Sequence, residues 1–306
     1  MIETVDYHTA GEPFRIVTGG VDPLPGARIL DKRRYAAEHL DHVRRLLVRE
    51  PRGHADMYGC FVTEPEDDGA DLGVVFFHNA GYSTACGHGT IALVTWAIEN
   101  GLVEGPEVVV DVPSGRLPKV ARVEDGRVVS VRFRNVPSFV HARGLEAAGR
   151  RVDVAFGGAF YASLEERVDA GELPRLIELG RAIKADLERR QEFVHGLEPE
   201  LRYIYGVIFW QQEEAGPPLV QRNVTVFADG EVDRSPCGSG TSARLALLDA
   251  DELVHRSIVG SEFRGRIVER RGDGVVTEVE GRAHLTGFHQ FVLEPDDELG
   301  TGFLLR

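Results

Sequence analysis

Two rhythms of apolar residues alternate along the chain, and each predicts a different element. Short runs rich in β-branched and aromatic side chains at residues 2–8, 14–18, 60–63 and 72–78 predict strands. Between the second and third of them, residues 31–49 place Tyr35, Leu40, Val43, Leu46 and Leu47 near helical spacing with charges elsewhere, which predicts one amphipathic surface helix. Strands follow at 108–112, 117–123 and 128–133, with Asp125-Gly126 as the hairpin turn between the last two. Val136-Pro137-Ser138 is the expected boundary between halves. Beyond it come strands near 152–156 and 159–162, a helix over 173–195, and strands at 203–210 and 220–228. Three further strands are predicted at 257–268, 275–279 and 282–293. No heptads, low-complexity tracts or short tandem repeats interrupt this order.

One stretch occurs twice. Thr84-Ala85-Cys86-Gly87-His88-Gly89-Thr90 and Ser235-Pro236-Cys237-Gly238-Ser239-Gly240-Thr241 both spell C-G-x-G-T and both open an apolar segment. The echo extends downstream, since Leu102-Val103 and Leu253-Val254 stand at the same distance from their cysteines. Each half therefore reads as strand, tight turn, cysteine, helix.

Helix-end physics gives such cysteines a chemistry. Thr84 and Ser235 are good N-cap residues and Pro236 suits the first helical position, which would put both cysteines in the first turn. Backbone N–H groups there have no partner inside the helix, and with the positive end of the helix dipole they attract an anion and favour thiolate over thiol. Both cysteines are thus expected to be more acidic than a free one. The neighbouring glycines let a ligand approach the backbone closely. A small carboxylate held at two such helix ends would have a thiol near each face.

Composition narrows the field. The 306 residues fit two ordinary domains, each able to bury a core. A net charge of −14 argues against nucleic acid and anionic membranes as general partners. Three cysteines make no disulfide framework and fit a reducing compartment. The N-terminal residues show no signal-peptide pattern, and no run approaches the roughly 18 apolar residues that span a bilayer, so a cytoplasmic protein is expected. Zinc is poorly supported, because Cys86-x-His88 lacks ligand spacing and no second ligand pair is near. No C-x-x-C supports redox exchange. A pyridoxal phosphate enzyme needs a Schiff-base lysine, and Lys32, Lys119 and Lys184, the only three, all stand in polar contexts.

The segment A-C-G-H-G-T at 85–90 and D-R-S-P-C-G-S-G-T-S-A at 233–243 resemble the two signature sites of the proline racemase family, which also holds hydroxyproline 2-epimerases and trans-3-hydroxyproline dehydratases. H-T-A-G-E-P at 8–13, G-H-A-D-M-Y-G at 53–59 and G-R-A-H-L-T-G-F-H-Q-F at 281–291 extend the resemblance from end to end. It implies an α/β fold of two similar domains of the diaminopimelate-epimerase type, each a sheet wrapped around a central helix, with the substrate clamped between them. The C-terminal segment would return to the first domain, giving residues 1–135 with 290–306 as the domain of Cys86 and 136–289 as that of Cys237.

The resemblance also implies a reaction without cofactor or metal. One cysteine, as thiolate, removes the Cα proton and the other, as thiol, delivers a proton to the opposite face, roles that pass to Cys86 and Cys237. Gly87, His88, Gly238, Ser239, Gly240 and Thr241 would hold the substrate carboxylate, while His88 and Asp233 match positions that contact the substrate nitrogen. Tyr58 and Phe227 match ring-packing positions, although aromatic residues in strands are usually core. The expected partner is a small molecule, proline or a hydroxyproline, and a homodimer is compatible with the family. Cys60, in an apolar strand without glycine or cap chemistry, is expected to be structural.

Independent chemistry supports the pairing. A proton α to a carboxylate is weakly acidic, so fixed donors must meet the developing charge, and inversion needs proton carriers on both faces. Within the family, dehydratases usually carry threonine where this chain has Cys237, which favours racemisation or epimerisation. Tyr58 stands where proline enzymes tend to carry phenylalanine, Ala85 where methionine is common, and the flanks Gly81-Tyr82-Ser83-Thr84 and Asp56-Met57-Tyr58-Gly59 are similar to the dehydratase branch. The alternatives are therefore a dehydratase or, outside enzymes, an amino-acid-binding protein using the same anion sites.

Overall fold

The computed structural model describes residues 1–248 and 250–305. The chain divides into one unit of Met1–Val131 with Arg282–Arg306 and a second of Arg132–Gly281. The first contains β1 (Ile2–Thr9), β2 (Glu12–Gly19), α1 (Ile29–His39), α2 (Asp41–Val48), β3 (Tyr58–Thr63), β4 (Leu72–His78), β5 (Gly81–Tyr82), α3 (Gly87–Glu99), β6 (Glu107–Val112) and β7 (Gly115–Glu124). The division falls within β8 (Arg127–Arg134). The second contains β9 (Ser138–Ala147), β10 (Arg150–Phe156), β11 (Phe160–Glu165), α4 (Leu173–Arg190), β12 (Ile204–Glu214), β13 (Leu219–Phe227), β14 (Glu231–Asp233), α5 (Gly238–Leu247), β15 (Glu252–Ser257), β16 (Glu262–Arg271) and β17 (Gly274–Gly281). The last strand, β18 (Ala283–Phe291), returns to the first unit. That return begins at Arg282 rather than residue 290, because all of β18 forms one antiparallel ladder with β1.

The two units share one pairing scheme. In the first, β18, β1 and β2 pair antiparallel, β2 with β3 parallel, β3 with β4 antiparallel, β4 with β6 parallel and β6 with β7 antiparallel. In the second, β9, β10, β11, β12, β13, β15 and β16 repeat that series of directions, and β17 pairs with both β16 and β9, so the sheet closes on itself. The repeat legible around the two cysteines is therefore a repeat of the whole unit. In each, the helix that follows the cysteine runs through the middle of the sheet. Residues Gly87 to Thr95 of α3 are buried all round, as expected of a helix apolar on every side. The helices α1 and α2 cover the outer face of the first sheet, where Ala36, Leu47, Phe61, Val75 and Phe77 form the core, and α4 covers the second through Leu176, Ile183 and Leu187.

Three local expectations change. The single helix over 31–49 is two helices broken at Leu40, which leaves helical geometry (φ −115°, ψ 11°) while Asp41 opens the next helix and accepts from Arg44 Nε at 2.6 Å. The strand expected over 257–268 begins only at Glu262, because Ser257 ends β15 and residues 258–261 form a turn tied by Ser257 and Ser261. Strand β9 went unread because its alternation is interrupted by polar residues at half-buried positions. The hairpin at Asp125-Gly126 has positive φ at both residues, the geometry that Asp-Gly favours. Among the described residues no helix is long and apolar enough to cross a membrane.

Candidate active site

In the first unit the expected cap is displaced by two residues. Cys86 itself is the N-cap of α3, in extended geometry, and its Sγ accepts from the Gly89 N–H at 3.2 Å. The Cys86 carbonyl accepts from both Thr90 N at 3.0 Å and Thr90 Oγ1 at 2.7 Å, which fixes the residue in place. A sulfur thus occupies the position where a hydroxyl usually satisfies the free donors of a helix start. His88 lies beside it, Nε2 at 3.4 Å from Sγ. Its ring meets Tyr58 and Phe14 edge-on, with centroids 4.9 Å and 5.7 Å away, and its carbonyl accepts from Thr9 Oγ1 at 2.8 Å. Cys86, Gly87, His88 and Tyr58 are all buried in this cluster.

Cys237 caps α5 in a different backbone state. Its φ of 62° lies in the left-handed region, which costs a non-glycine residue on the order of 1–3 kcal/mol and persists only where neighbours impose it. They do so here. Cys237 N donates to Ser235 Oγ at 3.1 Å, and Ser235 donates from both N and Oγ to Asp233 Oδ1 at 2.8 and 2.7 Å. On the helix side, Thr241 N and Oγ1 donate to the Cys237 carbonyl at 2.7 and 2.8 Å. Ser235, expected as the cap, is the clip that holds the strained turn. The Tyr161 hydroxyl stands 3.7 Å from Cys237 Sγ and 2.7 Å from Ser239 Oγ. Phe227 ends β13 and stacks on Tyr205 at 5.4 Å, and Tyr205 meets Tyr161 edge-on at 5.7 Å. Asp233, Gly238, Ser239, Gly240, Thr241 and Phe227 therefore join Cys237 in one neighbourhood of the second unit.

Electrostatics separates expectation from structure at Cys237. Burial, followed by the nearby Asp233 charge, pushes its thiol up to about 12, against the opposing pull of the Tyr161 hydroxyl, the Gly240 N–H and the Thr225 hydroxyl. Desolvation outweighs the helix end. Asp233 is itself pushed up to about 6 by burial, opposed by its bonds from Ser235. Cys60 is fully buried and burial pushes its thiol well up, as befits a residue of the core. Lys32 and Lys119 are buried rather than in open polar surroundings; Lys119 Nζ donates to Leu117 O at 2.8 Å and burial pushes its ammonium well down. Among the described residues no group of histidine, cysteine and carboxylate side chains could hold a metal ion.

Tyr161, Ser235 and Thr9 were not read as site residues. Tyr161 looks like any aromatic of a core strand, and only the register of β11 against β12, with Tyr161 opposite Gly206, sets its hydroxyl at the helix start. In the fold β11 takes the place of β2 in the pairing series, and Tyr161, like Phe14, packs against the residue two places after its cysteine.

Two units of one pairing scheme, each built on a helix headed by a cysteine, make up an α/β fold of the diaminopimelate-epimerase type, the fold of the proline racemase class of enzymes. The chain belongs to the proline racemase family, whose model matches residues 4–304. It is 45% identical to a trans-3-hydroxy-L-proline dehydratase of Bacillus thuringiensis subsp. konkukian, over 99% of this chain and 97% of that one. It is 43% identical to a 3-hydroxyproline 2-epimerase of Burkholderia multivorans, over 100% of this chain and 98% of that one. The crystal structure of a hydroxyproline epimerase from Agrobacterium vitis with bound trans-4-OH-L-proline superposes with a TM-score of 0.90 at 30% identity, covering 99% of this chain and 95% of that one.

Proposed function

We propose that the protein inverts the Cα centre of proline or a hydroxyproline without a cofactor, with Cys86 and Cys237 as the two proton carriers. The observation that carries this reading is that both helix starts are headed by a cysteine, each framed by its own polar partner, His88 at one and Tyr161 at the other. In one direction a thiolate at Cys86 takes the Cα proton, the electron pair spreads into the substrate carboxylate, and the Cys237 thiol returns a proton to the opposite face. The enzyme is left with the protonation states of the two cysteines exchanged, ready for the reverse direction. A Cys237 thiol held protonated by burial suits the donor in that first direction. Donors at Gly87, Gly238, Ser239, Gly240 and Thr241 would meet the charge on the carboxylate. His88 and Asp233 would take the substrate nitrogen, and Tyr58 and Phe227 would pack on the ring.

A second reading, elimination of water from trans-3-hydroxy-L-proline, is favoured by the relative of that name at 45% identity. Elimination needs one base at Cα and an exit for the β-hydroxyl, and has no use for a thiol on the far face. Proton NMR in D2O with reductant, following L-proline, trans-4-hydroxy-L-proline and trans-3-hydroxy-L-proline, separates the two. Loss of the Cα–H signal with appearance of the inverted isomer, read by NMR as a diastereomer for the hydroxyprolines and by chiral chromatography for proline, is expected for at least one substrate. Loss of the β-hydroxyl without inversion would overturn the first reading in favour of the second.

A further inference from the structure

The corresponding places at the two helix starts are filled differently. In the first unit Phe14 of β2 packs against the ring of His88, two residues after the cysteine, and His88 itself approaches the sulfur. In the second unit the same places hold Tyr161 of β11 and Ser239, and here the strand residue reaches the sulfur through its hydroxyl while also bonding the serine. Tyr161 is 1% exposed and its ring is fixed against Tyr205, so the hydroxyl has little room to leave.

A phenol hydroxyl has one proton to give and lone pairs to accept with. While Cys237 is a thiol, its S–H can donate to the Tyr161 oxygen, and the phenol proton goes to Ser239 Oγ. Once the sulfur has given up its proton it can only accept. The phenol proton then turns to the sulfur and the Ser239 hydroxyl donates to the phenol oxygen. Only the hydroxyl protons have to turn: the Tyr161–Ser239 pair at 2.7 Å can bond in either direction, and at 3.7 Å the sulfur stays within reach of the phenol oxygen. We propose that Tyr161 is a positioning residue that holds the Cys237 sulfur and reverses its hydrogen bond each time that sulfur loses or regains a proton. Phe14, without a hydroxyl, leaves this task at Cys86 to His88. The two cysteines are thereby served by different chemistry, although the folds around them repeat.

The inference rests on Cys237 as a proton carrier, yet its test needs no substrate and so fails separately from that reading. The probe is the iodoacetamide alkylation rate of Cys237, read by mass spectrometry of its peptide between about pH 7 and 10, where the rate follows the thiolate fraction. Removing the hydroxyl by Tyr161→Phe keeps the ring and removes one donor to the thiolate. A rise of about one unit in the thiol pKa lowers the thiolate fraction tenfold; the greater nucleophilicity of a more basic sulfur returns part of that, leaving an alkylation rate about threefold lower at each pH. Replacing Tyr161 by 3-fluorotyrosine, and then by 3,5-difluorotyrosine, makes the phenol a stronger donor at nearly constant shape, and the rate at the low end of that pH range, where the buried phenol keeps its proton, should climb stepwise. A merely structural role would not order the rates by phenol acidity. Rates that ignore the fluorine substituents, or that move the same way for phenylalanine and the fluorinated residues, overturn the proposal. The fluorinated series decides the matter even where Tyr161→Phe fails to fold.

Discussion

The Gly89 N–H donates to Cys86 Sγ at 3.2 Å, and a methyl group at Gly89 would lie 2.7 Å from that same sulfur. Gly240 repeats the relationship, since a Cβ there would lie 2.9 Å from Cys237 Sγ. The glycine three residues after each cysteine thus reserves the space in which the sulfur sits.

Gly89→Ala and Gly240→Ala should each displace a sulfur while leaving both thiols present. A misplacement of about 1 Å costs on the order of a hundredfold in rate, so Cα exchange in D2O is expected to fall by about that factor in either variant. Gly89→Ala should also destabilise by about 1–3 kcal/mol, because its Cβ would lie 2.3 Å from the fully buried Phe14 ring. Thermal unfolding checks the second effect and NMR the first.

Cys86→Ser and Cys237→Ser are each expected to lower racemisation by several orders of magnitude without unfolding the protein. A hydroxyl fills nearly the same space as the thiol but is a far poorer proton carrier near neutral pH. Circular dichroism and the NMR exchange assay together test this. A single serine variant that still inverts the substrate at the parent rate would end the two-thiol mechanism.

Cys60 and Cys237 should react in different ways. Cys60, at 0% exposure, is expected to remain unmodified by iodoacetamide in the folded protein. Cys237, with its thiol pushed up to about 12, should alkylate ever faster as pH rises, with no plateau below about pH 10. Peptide mass spectrometry after timed quenching resolves the sites. A plateau at Cys237 near neutral pH would mean that the helix end, and not burial, governs this sulfur.

Asp233 should make stability depend on pH in an unusual direction for a carboxylate. Its folded value of about 6 lies above the ordinary 3.8, so folding favours the protonated form. That contribution is fully present below about pH 4 and is lost as pH rises through 6. Asp233→Asn keeps an oxygen to accept from Ser235 and removes the buried charge, so it should raise stability by about 1–3 kcal/mol at pH 8, with the gain vanishing toward pH 4. Denaturant melts at the two pH values measure it. Activity should fall in the same variant, because the carboxylate that would hold the substrate nitrogen is gone.

Most of the strand and helix order was legible because apolar periodicity is a local property. Residues 72–78 and 108–112 alternate or run apolar within a few positions, and the stop at Gly101 follows from its φ of 68°, which glycine accepts readily. The break at Leu40 was not legible, since Leu40 and Asp41 fit a continuing helix as well as they fit its end. Strand β9 was missed for another reason: polar residues at half-buried positions break its alternation, and its partner β17 comes from distant chain.

The sequence by itself determined that two like segments each place a cysteine between a strand and a helix, with glycines beside it, since C-G-x-G-T is written out twice. It also determined the family, through motifs spread from residue 8 to residue 291. Only the tertiary structure decided that the cysteines are the caps themselves, that Ser235 clips a strained turn and that Tyr161 reaches Cys237. It also decided that the Cys237 thiol is held up by burial. Helix capping and glycine spacing act over a few residues and can be read along the chain. Desolvation and the reach of a hydroxyl from one strand to a helix start depend on what folding brings alongside, and no local pattern records that.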